Sequence, residues 1–256
     1  MKTTKNCPKC GFASNKNFAD CPQCGVIVSK YLESKRNDKE SEKKRAAAKN
    51  SSLQNLDGAN ALIIKQHKEL GEILTGFETK NKYNVMDHWG NPLFDAEEEG
   101  GSFATIITRF LLTALRPFTM HIFSAEGKGL FQLKRPFRFY FHQLEVCKAD
   151  GAPLGTVKRR FSILRRLYSV LDRHGNEIYR LFGPIFHPWT FQIQNGGREL
   201  GKITKKWSGL LKESITDADN FGITFPKGID LGQKVILLGA VFLIDFVHFE
   251  SKGSRN

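Results

Sequence analysis

The sequence predicts a mainly β domain that encloses one apolar helix and follows a small module held by four cysteines. Three observations carry that prediction. Cys7-Pro8-Lys9-Cys10 and Cys21-Pro22-Gln23-Cys24 form two C-x2-C pairs near the N-terminus. From Tyr83 onward apolar and polar residues alternate with a period of two, and turn residues recur at short intervals. Close to the C-terminus, Val235 to Phe249 reads VILLGAVFLIDFVHF, which is apolar on every side and must be buried somewhere.

Composition sets the outer limits. The chain has 256 residues, 40% of them hydrophobic, with 21 Phe and five Cys. That is too little cysteine for a disulfide scaffold and too much apolar mass for a disordered chain. Lys and Arg number 39 against 26 Asp and Glu, a net charge of +13, so an anionic partner is expected. The charge alone does not choose between nucleic acid and an acidic membrane surface. The surplus sits in the cysteine module, in the linker after it and in the body from residue 105. The stretch between, ending in Glu97, Glu98 and Glu99, is acidic. Met1-Lys2-Thr3-Thr4-Lys5 leads into Cys7 with no apolar run, so a cytosolic start is expected.

Residues 1–29 read as a zinc ribbon. Each CPxCG segment is a tight turn, and Gly11 and Gly25 permit the backbone to bring amides toward a thiolate. Four thiolates from Cys7, Cys10, Cys21 and Cys24 suit a tetrahedral Zn2+ with no open position, hence a structural metal. So short a segment cannot bury a sufficient core without it. Such ribbons engage nucleic acid or protein, and spacing does not separate the two.

Residues 30–79 read as a charged helical linker. Val26 to Asn50 is dense in Lys, Arg and Glu with little apolar periodicity, which fits a solvated spacer or a basic arm on phosphates. A second helical stretch is expected at Ala59–Leu74, where Leu62, Ile63, Gln66 and Leu70 recur at helical spacing.

Residues 80–251 read as the β domain, with its helix at 229–245. Hairpins are expected around Asp87–Asn91, Ser124–Gly127 and Asp172–Asn176, each with a Gly for the positive φ of the turn. Leu154-Gly155-Thr156-Val157-Lys158-Arg159-Arg160-Phe161-Ser162 recurs as Leu200-Gly201-Lys202-Ile203-Thr204-Lys205-Lys206-Trp207-Ser208, an internal duplication. The basic pairs in the two copies are either a solvated rim or two matched phosphate-contacting loops. Lys158, Arg159, Arg160, Arg165 and Arg166 form the densest basic stretch. Phe137, Phe139 and Phe141 alternate with Arg138, Tyr140 and His142, which reads as a half-buried strand packed on the core. Cys147 is expected to be a small core or edge residue. The apolar C-terminal run is shorter than the ~20 residues of a membrane span and is interrupted by Asp245, so a core helix is expected over a single-pass anchor. The seven His are scattered, and no pairing with a nucleophile marks a chemical catalytic site.

Gly201 to Glu213, Thr216 to Ile223 and Ala240 to Phe246 closely resemble the phospholipid scramblase family. Arg116-Pro117-Phe118, Lys134-Arg135-Pro136 and Gln143-Leu144-Glu145-Val146 sit where that family has similar motifs, and the resemblance covers roughly residues 80–250 in order. It implies a twelve-stranded antiparallel tubby-like barrel closed around the C-terminal hydrophobic helix. It also implies calcium-dependent, bidirectional movement of phospholipids between membrane leaflets, with the protein peripheral at the cytoplasmic face. The basic residues Lys158, Arg159, Arg160, Arg165, Arg166, Lys202, Lys205 and Lys206 would then meet anionic phospholipid headgroups. The family's calcium segment matches Asp217 to Gly228. Asp217 and Asp219 fill the first and third ligand positions, and Gly222 the glycine position. Phe221, Phe225 and Gly228 replace ligands, and Asp230 comes two residues late, so any Ca2+ affinity would be weak, and Phe221, Ile223 and Phe225 also alternate as a plain strand. The family's acylated cysteine cluster is replaced here by Pro136-Phe137-Arg138-Phe139-Tyr140-Phe141, and a zinc ribbon stands where mammalian members are Pro-rich. The alternative is a soluble binding module whose ribbon and basic rim engage nucleic acid or a protein partner.

Overall fold

The computed structural model describes residues 5–14, 18–67, 81–99, 117–137, 141–162, 165–205 and 220–249. Two compact units divide the chain, residues 1–48 and 49–256.

In the first unit β1 (Lys5–Asn6) and β2 (Ala13–Ser14) pair antiparallel. The two cysteine turns close by matching bonds, Gly11 N–H to Cys7 C=O at 2.9 Å and Gly25 N–H to Cys21 C=O at 2.8 Å. Gly11 and Gly25 take φ of 78° and 67°, which an L side chain rarely adopts. Helix α1 (Val28–Gly58) follows and carries no apolar stripe until its last turns, where Leu53 and Leu56 join the core of the second unit.

The second unit is a closed antiparallel barrel of twelve strands, β3 to β14, with α2 inside. The strands are β3 (Ala61–His67), β4 (Lys82–Asp87), β5 (Pro92–Glu98), β6 (Phe118–Ser124), β7 (Gly129–Arg135), β8 (Gln143–Lys148), β9 (Pro153–Arg159), β10 (Arg166–Asp172), β11 (Glu177–Gly183), β12 (Thr190–Asn195), β13 (Arg198–Lys205) and β14 (Asn220–Thr224). Neighbours in sequence are neighbours in the sheet, and β14 pairs with β3 to close it. Helix α2 (Leu231–His248) fills the interior, and its residues from Lys234 to Phe246 are buried without a break. An unbroken apolar surface is what a helix needs when strands surround it on all sides. Asp230 starts it by accepting the Gln233 N–H at 2.8 Å.

The expected hairpins are all present. Asp87 accepts the amides of Trp89 and Asn91 through Oδ1, and Asp172 accepts those of His174 and Asn176 in the same way. Gly90, Gly127 and Gly175 sit at positive φ. These tight turns gather at one barrel end. The described residues 136–137, 141–142, 160–162, 165 and 184–189, which flank or form the longer connections, lie at the other, where α2 ends.

Two sequence readings are corrected. Residues 61–67 of the stretch read as helical form strand β3, because Leu62 and Ile64 alternate into the core and β4 and β14 both need a partner there. Leu62, Ile63 and Gln66 satisfied either period, and barrel closure decided it. Phe137 and Phe141 do not pack in the core, and residues 138–140 between them lie outside the described residues. Strand β7 ends at Arg135 before Pro136, and Phe137 and Phe141 are exposed.

The duplicated Leu-Gly has a steric reason. A Cβ on Gly155 would stand 2.3 Å from the Leu171 carbonyl oxygen, and one on Gly201 2.3 Å from that of Thr224. Each copy therefore brings a neighbouring backbone too close for any side chain. Gly155→Ala and Gly201→Ala are each expected to cost about 1–3 kcal/mol, read as a lower midpoint of chemical unfolding. An unchanged midpoint would remove close approach as the reason for glycine.

Candidate metal centre and anion-binding surface

The four cysteine sulfurs lie within 4.8 Å of one another and are placed to hold a metal ion. Cys7 Sγ is 3.9 Å from Cys24 Sγ, and Cys10 Sγ is 3.6 Å from Cys21 Sγ. These are not disulfide distances, since a bonded pair lies ~2.05 Å apart. Cys7 and Cys21 are buried, whereas Cys10 is exposed. The Cys10 backbone amide beside it holds the Cys7 thiol down to about 6.

The basic residues of the repeat separate into two groups. Lys158, Arg160, Arg165 and Lys202 are exposed, and Arg159 is half-buried. Arg166 is committed to the fold. Its guanidinium donates to the carbonyls of Pro184 at 3.0 Å and His187 at 3.1 Å, and also to that of Pro188, while lying 4.5 Å over the Phe191 ring. Lys205 points inward, 3.8 Å from Asp245, and leaves the anion-binding set. The alternation explains the split, because Ile203 and Lys205 share the inner face of β13 while Lys202 lies on the outer one. Lys206, Asp217 and Asp219 lie outside the described residues. Asp230 caps α2, and Phe221, Ile223 and Phe225 of the segment matched to the calcium motif are core residues.

On the outer face of β8, β9 and β10 the register puts Gln143 opposite Lys158 and Lys158 opposite Ser169. A cleft of about 290 Å3 opens there, lined by Phe141, Gln143, Lys158, Arg159, Arg160, Ser169 and Leu171. Glu177 flanks it, 3.0 Å from Arg160 and 2.7 Å from Arg180. Burial opposes the Glu177 charge, but the Ser169 hydroxyl, Arg180 and Arg160 outweigh it and hold the carboxyl below its usual range. Lys158 has no carboxylate partner among the described residues. Three cations, an amide and a hydroxyl line the cleft, Glu177 already pairing Arg160 and accepting the Ser169 hydroxyl, and the remaining positive surplus suits a phosphate-bearing group. Ser169 and Glu177 carry no motif in the sequence, and Gln143 belongs to a family-like motif without being marked as a site residue. Their signal was the outward position on alternating strands, which needs the register to become a site.

Behind this cleft, Arg135 Nη2 lies 2.8 Å from Nδ1 of buried His142. Burial, then Arg135 and Arg159, push the His142 imidazole down from 6.5 to about 4. The folded chain thus keeps His142 neutral where the unfolded chain already takes up a proton. Stability is expected to fall by roughly 1–3 kcal/mol as pH drops from about 6.5 to about 4. Unfolding curves of the wild type and His142→Gln across that range check this, since the variant should lose less stability toward acid.

A closed barrel filled by its own C-terminal helix, with a basic cleft on its wall and a four-cysteine module ahead of it, defines the class of protein. A protein-family model described as Scramblase matches residues 41–251. The chain is 33% identical over 217 residues to phospholipid scramblase 1 of Homo sapiens, covering 79% of this chain and 67% of that protein. It is 34% identical over 212 residues to phospholipid scramblase 2 of Bos taurus, covering 77% and 71%. A solved structure of an Arabidopsis thaliana protein matches at 13% identity with a TM-score of 0.41, covering 73% and 93%. This chain belongs to the scramblase family. It spans about two thirds of the length of the human, mouse and rat relatives (67%, 65% and 64%). The four cysteines precede the family match.

Proposed function

We propose that this chain is a phospholipid scramblase-like protein that binds anionic phospholipid headgroups at a bilayer surface and promotes phospholipid movement between leaflets. The observation that carries it is the cleft of Lys158, Arg160, Gln143 and Ser169, in a chain similar to proteins named phospholipid scramblases. Helix α2 packs the barrel interior, so headgroups have no route through it. Scrambling acts from the outer wall on the adjoining bilayer. The metal in the cysteine module is Zn2+, which favours four thiolates in a closed structural site. Four thiolates gathered for a metal favour a reducing compartment, and in this reading the protein works peripherally at the cytoplasmic face of the membrane.

The test has two parts. In flotation with anionic vesicles, Lys158→Ala/Arg160→Ala should bind roughly tenfold or more weakly, at ~1 kcal/mol per basic residue near a charged surface. In dye-labelled vesicles, with and without Ca2+, the wild type should accelerate lipid exchange. Vesicle binding without lipid movement would reduce the protein to a lipid-binding module.

A further inference from the structure

We infer that the barrel docks on an anionic bilayer by the rim of its longer loops, inserting aromatic tips, while α2 stays inside the barrel. This rests on the membrane reading above and adds to it the face and the inserting residues. Three connections follow β7, β9 and β11 at one end of the barrel, and their described residues are 136–137 with 141–142, 160–162 with 165, and 184–189. Large apolar side chains protrude from all three. Phe161 is 76% exposed, Phe186 92%, Ile185 57% and Phe141 54%.

Burying one such Phe is worth about 1.5–3 kcal/mol relative to leaving it in water. A single exposed Phe is ordinary, but large exposed apolar side chains on three successive connections of one barrel end are not. At the tight-turn end, Trp89 is the one large exposed hydrophobic among the described turn residues. The long-loop rim also carries charge complementary to an acidic surface. Arg160 and Arg165 lie in the connection that holds Phe161, and Lys158 precedes them on β9. The connection that bears Phe186 is fastened by the three carbonyl bonds from Arg166, so its tip is presented by a built loop. Separate protruding tips ringed by cations suit a fluid apolar medium under anionic headgroups, where aromatic rings settle at the interface.

The full chain is tested on vesicles of phosphatidylcholine alone and of phosphatidylcholine with 30% phosphatidylserine, the latter at low and high salt. Phe161→Ser/Phe186→Ser should weaken partition into the anionic vesicles at least about tenfold. Residual binding should then vanish in high salt. Phe186→Trp should gain emission that chain-brominated lipid quenches, whereas Lys128→Trp, on the opposite rim, should not. Far-UV spectra confirm that each variant is folded. If the serine variant binds as the wild type does and only Lys128→Trp is quenched, the rim assignment is wrong while the membrane reading stands. If the wild type binds neither vesicle but binds DNA in a salt-dependent way, both fall together.

Discussion

Replacing Asp245 by alanine should destabilise the barrel by about 3–5 kcal/mol, the cost of breaking one side of a buried ion pair. Asp245 is 3% exposed and accepts the Tyr83 hydroxyl at 2.8 Å, with Lys205 Nζ at 3.8 Å. Lys205 in turn lies 5.3 Å over the Phe221 ring and 4.6 Å over that of Phe249. Without Asp245 the ammonium stays in an aromatic pocket with its carboxylate gone. Removing both charges as Lys205→Met/Asp245→Leu should recover most of the loss, because the desolvation cost goes with the pair. Urea unfolding of the three proteins measures it. A loss below about 1 kcal/mol for Asp245→Ala would mean the pair does not hold the helix.

The same pair bears on whether α2 could leave the barrel for a membrane. By length and composition α2 could cross one, with a mean hydropathy of 1.6, yet 72% of it is buried in the fold. It is pinned near both ends. At its start the buried Lys234 ammonium donates to the carbonyls of Leu56 at 3.1 Å and Ala59 at 2.9 Å, and to that of Asp57, closing the C-terminal turn of α1. Burial pulls the Lys234 pKa down, but the three carbonyls keep its protons engaged. A membrane would forfeit both pins and take in two charged groups, each costing less than the ~2.5–3.5 kcal/mol of a bilayer-centre charge because both lie near the helix ends.

The sequence showed most of this fold because most of its signals were local. The Asp-Gly hairpins, the period-two strands and the apolar run each needed only their own residues. Strand β3 was misread because its evidence was not local. Leu62, Ile63 and Gln66 fit a helix until β4 and β14 are seen to lack a partner. Lys205 was placed on the surface for a related reason. In the repeat it stands in a basic pair, and only its inward register and the lone acid of α2 show where it goes. Asp245 interrupts an otherwise apolar run. A buried acid demands a cation, and that demand was the signal for the pair. The cleft was half legible, since its cations are consecutive in sequence while Gln143 and Ser169 reach it across two strand registers.

Stripping the metal from the cysteine module should unfold that module and leave the barrel standing. A tetrahedral Zn2+ with sulfurs at ~2.3 Å sets neighbouring sulfurs ~3.8 Å apart. The observed separations of 3.9 Å for Cys7–Cys24 and 3.6 Å for Cys10–Cys21 bracket that value. Little else holds the module. Among the described residues its β1–β2 ladder is two residues long, and Phe12 and Phe18 meet at 6.0 Å with both rings part-exposed. A four-thiolate zinc bound there would supply on the order of 10 kcal/mol, enough to serve as the module's folding energy. A strong chelator, or Cys21→Ser, should make residues 5–27 open to protease and their thiols reactive. The unfolding midpoint of the barrel should stay put, because the module belongs to a separate compact unit. Metal analysis of the purified chain should give one zinc per molecule. A protease-resistant module after complete chelation would show that its two turns stand without metal.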